Sequence, residues 1–145
     1  MLIILIIFFL DRFTKISILN NLSDSTFYLN DFINFDLIWN TGIGFGLLSS
    51  NSNFFYNSTT TLIGFIIIFL LIFALDSGKY EKIIFSTIIG GALGNFYDRI
   101  IFKAVPDFID LHYKNFHWFT FNLADIFITI GLVSMLIYGL ILKDK

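Results

Sequence analysis

Gly90-Gly-Ala-Leu-Gly-Asn-Phe-Tyr-Asp-Arg99 opens a stretch that continues through Ile-Ile-Phe-Lys-Ala-Val-Pro-Asp107-Phe-Ile-Asp110 and Leu-His-Tyr-Lys-Asn-Phe-His-Trp-Phe-Thr-Phe to Asn122-Leu-Ala-Asp125-Ile126. Seven of its polar residues stand out: Asn95, Asp98, Arg99, Asp107, Asp110, Asn122 and Asp125. The chain around the stretch is largely apolar, so the ionisable groups are conspicuous. They raise the question of a two-carboxylate site at one surface of a membrane.

Composition supports the membrane setting. The chain has 145 residues, of which 57% are hydrophobic and 14% charged, with a mean hydropathy of +0.82. A soluble domain averages ~25% charged residues. Phe alone occurs 20 times. The net charge of -2 offers no basic surface for nucleic acid. Cysteine is absent, which excludes thiol catalysis, cysteine-ligated metals and disulfides. The length suits a single domain spanning residues 1–145.

Working outward from the opening stretch, four apolar segments cover about 2–22, 54–75, 83–102 and 119–142. Each is long enough to span a bilayer, which takes ~20 residues. The first is interrupted by Asp11, Arg12 and Lys15. A cleaved signal peptide is the rival reading of that segment, but Met1–Leu10 lacks a basic residue and no small-residue cleavage site follows. We read it as a retained helix. The expected class is an all-α integral membrane protein with four transmembrane helices. Loop charge orients it. The loop at about 23–53 has no Lys or Arg, whereas Lys79, Lys82, Lys143 and Lys145 mark the other side. Both termini are therefore expected in the cytoplasm. Lys103 and Lys114 in the last loop reduce the contrast.

The first outer loop carries a strand pattern. Ile33, Phe35, Leu37 and Trp39 alternate with Asn34, Asp36, Ile38 and Asn40. The run from Asn40 to Gly46 then supplies a turn, with Gly42, Gly44 and Gly46 permitting positive φ and close backbone approach. A small sheet at the membrane surface is expected here.

With four helices, the first and last loops share a side. Asp107 follows the third helix, and Asp125 is expected one to two turns into the fourth. Asn95, Asp98 and Arg99 occupy the last turns of the third helix. Asp11 and Lys15 lie in the nearer half of the first. The polar inventory thus converges on one face.

Each group has a plain reading as well. Asp11 and Lys15, four apart, share a helix face and can form a structural pair. Arg12 points elsewhere and is expected to snorkel or reach a lipid phosphate. Asp98 and Arg99 can cap the third helix or bind headgroups. Gly90 and Gly94 form a small-xxx-small packing face. Asn122 can orient Asp125 or cap the fourth helix. His112 and His117, five apart, make a poor metal signature, so no metal is expected and an interfacial position is preferred. Trp39, Trp118 and Tyr113 fit an aromatic belt.

Asp107 and Asp125 resist the plain reading. An intramembrane acid is costly and is a functional candidate by default. Two carboxylates held close share a proton. One then activates water while the other, protonated, polarises a carbonyl. This is aspartic-peptidase chemistry, and it needs neither metal nor thiol. Asp110 competes with Asp107 for the role, and spacing alone leaves that choice open.

The motifs resemble those of the lipoprotein signal peptidases, also called signal peptidase II. Asp11-Arg12-Phe13-Thr14-Lys15 matches D-x-x-[ST]-K. Asn40-Thr41-Gly42 with Phe45-Gly46 matches N-x-G-x-x-F. Gly90 to Arg99 matches G-G-x-x-G-N-x-x-D-R. Val105-Pro106-Asp107-Phe108-Ile109 matches V-x-D-F-[IL]. Phe121 to Asp125 matches F-N-x-A-D. Five motifs in order span nearly the whole chain. The resemblance implies that Asp107 and Asp125 are the catalytic pair. Asn40, Gly42, Asn95, Arg99 and Asn122 would support them and the substrate, while Asp11, Lys15 and Asp98 would be structural polar groups. It further implies a small extracytoplasmic β-cradle at roughly 27–48 and a place in the bacterial inner membrane with the site facing the periplasm.

The implied substrate is a prolipoprotein signal peptide, cut just before a diacylglyceryl-modified Cys. Globomycin is an expected inhibitor. Membrane phospholipid is the expected surrounding, with no cofactor and a monomeric state. Two departures stand out. Pro106 takes an aliphatic position, and Trp39 stands where a basic residue is common. The alternative is a small proton- or ion-coupled carrier using Asp11, Lys15 and Asp125. It would want polar residues through the membrane depth, which the apolar second helix lacks.

Overall fold

The chain builds four helices and one sheet among the residues described by the computed structural model, which are 2–22, 26–42 and 53–142. Helix α1 is Leu2–Asn21, α2 Asn53–Asp76, α3 Lys79–Phe102 and α4 Leu123–Ile137. Strand β1 is Phe27–Asn30, β2 Ile33–Asn40, β3 Val105–Tyr113 and β4 Phe116–Phe121. A π-helical turn, Tyr138–Leu142, continues α4. The expected turn residues Gly44, Phe45 and Gly46, and the tail residues Lys143 and Lys145, lie outside the described residues.

Helix α3 is the centre, packed against α1, α2 and α4. Its glycines explain how. A Cβ on Gly90 would stand 2.8 Å from the Cβ of Ile7, and one on Gly94 would collide with the Asp11 carboxylate. A Cβ on Gly91 would lie 2.5 Å from the Ala124 carbonyl oxygen. Thus Gly90 and Gly94 admit α1, and Gly91 admits α4. Such close approach holds helices together where lipid removes the hydrophobic drive. On the α2 side, Ile67 and Ala74 cluster with Ile89 and Ile4.

The outer faces of the helices are apolar. Phe13 is 73% exposed and Leu136 61%, with Phe65, Ile68, Phe69 and Ile72 also exposed on α2. Such a surface suits hydrocarbon. Two spans, Tyr56–Asp76 with 21 residues and Leu123–Leu140 with 18, are long and apolar enough to cross a membrane. Helices α1 and α3 have 20 and 24 residues; Asp11, Arg12 and Lys15 of α1 and Asp98 and Arg99 of α3 are buried.

The sheet is larger than the outer loop alone implies. Its order is β1-β2-β3-β4, antiparallel throughout. The aromatic segment after α3 is therefore a hairpin, β3 to β4, rather than a loop along the surface. Phe119, Thr120 and Phe121, expected to begin the fourth helix, belong to β4. Aromatic and β-branched residues suit a strand, and their apolarity mimics a helix start. Helix α3 begins at Lys79, four residues before the expected Ile83, because the Glu81 carboxylate accepts the Gly78 N–H at 3.1 Å. Strand β4 pairs β3 only from Ile109 onward, so Pro106 interrupts no β3–β4 bond.

Candidate active site

Helix α4 starts at the site. Asn122 is its N-cap, with the Asn122 side-chain oxygen accepting the Asp125 N–H at 3.2 Å. The Asp125 carboxylate in turn accepts the Asn122 N–H at 3.1 Å. This reciprocal box satisfies two of the orphan N–H groups of a helix start. It also puts Asp125 in the first turn of α4, not one to two turns in as expected. A third orphan, the Ala124 N–H, donates to Asp11 on α1 at 3.1 Å.

Asp107 arrives from β3. Its two carboxylate oxygens receive amide N–H donors, Asn40 at 2.8 Å and Asn122 at 2.5 Å. Asn40 closes β2, and its side-chain oxygen accepts the Gly42 N–H at 2.8 Å. Asn122 therefore touches both acids, Asp107 through its side chain and Asp125 through its backbone and cap. Asn95 on α3 donates to Asp125 at 2.8 Å. Five elements, α1, α3, α4, β2 and β3, converge on the pair.

Beneath it lies a charge cluster. Lys15 is fully buried and donates to Asn95 at 2.8 Å and to Asp98 at 2.7 Å. It also pairs with Asp11 at 2.9 Å. Arg12 completes the cluster, 2.6 Å from Asp98. Two acids and two bases cancel, which makes the burial tolerable. The expectation that Arg12 snorkels to lipid is overturned, because Asp98 holds it inside. Asp98 and Arg99 neither cap α3 nor face headgroups. The helix ends at Lys103, in the left-handed region at φ 57°, while Asp98 is fully buried and Arg99 nearly so. Arg99 donates to the Gly42 carbonyl, and its own carbonyl accepts the Tyr56 hydroxyl at 2.9 Å. Its Nε and Nη1 have no partner among the described residues.

Electrostatics single out Asp107. Burial and the nearby Asp125 charge push its pKa up to about 7, against the opposing donors Asn40 and Asn122 and the Lys15 ammonium. A carboxyl that titrates near neutral pH suits acid–base work. Asp110 is placed apart. Its carboxylate lies 2.7 Å from the His117 ring and does not join the network around Asp107 and Asp125. A groove of about 270 Å³, lined by Phe119, Phe121, Ile126, Thr129 and Ile130, opens beside Asp125.

Spacing could not reveal Arg12 as a partner of Asp98, the Tyr56 hydroxyl on Arg99, or Asp110 beside the histidines. The first two are contacts between elements distant in sequence, and the third depends on the β3–β4 register.

A family model described as signal peptidase (SPase) II matches residues 3–141. A lipoprotein signal peptidase of Pelagibacter ubique (strain HTCC1062) is 49% identical over 146 residues, 99% of this chain and 88% of that one. Another, from Francisella tularensis subsp. novicida (strain U112), is 36% identical over 121 residues, 81% of this chain and 75% of its own. A solved bacterial membrane enzyme superposes with a TM-score of 0.79 at 30% identity, covering 99% of this chain and 92% of that one.

Proposed function

This chain belongs to the signal peptidase II family, and from that premise we propose that Asp107 and Asp125 form its catalytic dyad. The protein is a membrane peptidase that removes signal peptides from prolipoproteins. The observation that carries the dyad is the joint grip of Asn122 on both acids.

The pair shares one proton. The unprotonated carboxylate takes a proton from a bound water, and that oxygen attacks the scissile carbonyl. The protonated partner donates to the carbonyl oxygen as it gains charge. Collapse of the tetrahedral intermediate breaks the C–N bond, and the leaving amine takes a proton from the dyad. Asn40, Asn95 and Asn122 hold the carboxylates in register. The free N–H groups of Arg99 suit a substrate carbonyl.

The substrate we propose carries diacylglycerol on its Cys, and cleavage falls just before that residue. The apolar groove beside Asp125 supports this reading, since an acyl-anchored peptide can lie along it. The four helices are proposed to span the bacterial inner membrane, with both termini cytoplasmic and the sheet on the periplasmic side. The carrier alternative is not favoured, because the family is a peptidase family.

Purified protein in detergent should cleave a diacylglyceryl-modified precursor and leave the unmodified one intact. Asp107→Asn and Asp125→Asn should each abolish cleavage, while Asp110→Asn should retain most of it. Normal turnover by either dyad variant would refute the assignment.

A further inference from the structure

The β3–β4 hairpin brings together three side chains that the peptidase chemistry does not use. Asp110 and His112 are two apart on β3, so they project from one face of the strand. His112 pairs directly with His117 on β4. The imidazole rings stack with centroids 5.3 Å apart. The Asp110 carboxylate lies 2.7 Å from His117 Nδ1 and 3.6 Å from His112 Nδ1. One ligand atom from each residue lies within 4.8 Å of the other two.

A tetrahedral zinc site with bonds near 2.0–2.1 Å spaces its donors at about 3.3 Å. The separations here bracket that value, so small side-chain rotations suffice. A second observation points to a ligand. His112 is only 5% exposed, and its Nδ1 has no hydrogen-bond partner among the described residues. A buried polar nitrogen left unpaired is costly. A cation seated between His112 and Asp110 would satisfy it. His117 is exposed, which leaves an approach path and an open position for water.

We propose that Asp110, His112 and His117 bind one borderline divalent cation, foremost Zn²⁺, within the β3–β4 hairpin. Two imidazoles and one carboxylate select zinc and its first-row neighbours over Mg²⁺ and Ca²⁺, which prefer all-oxygen shells. The ion ties β3 to β4. Strand β3 also carries Asp107, three residues before Asp110, but the metal site lies apart from the hydrogen bonds that hold that carboxylate.

The test uses the full chain, tag removed, chelator-treated and dialysed in detergent. Zn²⁺ titration followed by calorimetry should give saturable binding at one ion per chain and a rise in Tm. Co²⁺ should produce the visible bands of a tetrahedral complex. His117→Gln, an exposed change that leaves the fold intact, should weaken binding about tenfold or more, and His112→Gln should do the same. Absence of saturable Zn²⁺ binding, or binding unchanged in His117→Gln, would overturn the site. Both readouts are independent of cleavage, so failure here leaves the peptidase reading untouched.

Discussion

Lys15 sets the orientation of Asn95. Its ammonium donates to the Asn95 side-chain oxygen at 2.8 Å, and an ammonium has no lone pair to accept with. The Asn95 NH₂ must therefore face the other way, where it meets Asp125 at 2.8 Å. A buried cation on α1 thus aims an amide on α3 at a carboxylate on α4.

Asn95→Ala should lower kcat while leaving the fold and the precursor KM nearly unchanged. A hydrogen bond to a charged group contributes about 1.5–3 kcal/mol, which corresponds to ~10- to 100-fold in rate. Lys15→Met should act differently. It strips Asp11 and Asp98 of their shared cation and should cost about 3–5 kcal/mol of stability. Thermal unfolding beside single-turnover cleavage separates the two effects.

Cleavage should have an alkaline limb near pH 7, where the shared proton is lost from a pair containing Asp107. The Asn40 amide favours the charged form of Asp107. Asn40→Ala should therefore raise that pKa and move the limb to higher pH. A shift to lower pH, read from kcat/KM profiles, would contradict the assigned hydrogen bond.

Asp107 also links stability to pH. Its folded pKa of about 7 lies above the ordinary carboxylate value of 3.8. Its contribution to stability is whole below pH ~4 and is lost as pH rises through about 7, because ionising it in the fold is unfavourable. Asp107→Asn removes that dependence. The Tm of this variant minus that of the wild type should become more positive from pH 4 to pH 8. A difference that stays flat would mean Asp107 is not buried as found.

Gly91→Ala should destabilise by about 1–3 kcal/mol, since the new methyl meets the Ala124 backbone carbonyl, which cannot rotate away. Gly64→Ala meets only the Phe96 ring edge at 3.3 Å and should cost less. Melting both variants in the same detergent tests this order.

EDTA should leave the cleavage rate unchanged, because the dyad oxygens face amide donors rather than metal ligands. Loss of activity restored by Zn²⁺ would move the metal into the chemistry.

Much of the helical frame was legible because bilayer length and apolarity are local properties. The Gly90 and Gly94 packing face was legible too, since glycine spacing on a helix fixes which face is small. The start of α4 was misplaced because Phe119 to Phe121 are as apolar as a helix and only strand pairing with β3 distinguishes them. Arg12 was sent to lipid because its partner Asp98 lies 86 residues away, the difference of their numbers.

By itself, then, the sequence determined a membrane-embedded chain with acids gathered toward one side, and its ordered motifs pointed to a peptidase family. It did so because hydropathy and motif order are carried along the chain. Only the tertiary structure decided how Asp107 and Asp125 are held, by joining Asn40, Asn95 and Asn122 from three separate elements around them. It also separated Asp110 from that network and set it beside His112 and His117. Side-chain hydrogen bonds and cross-strand register depend on distances between remote segments, and no local pattern encodes them.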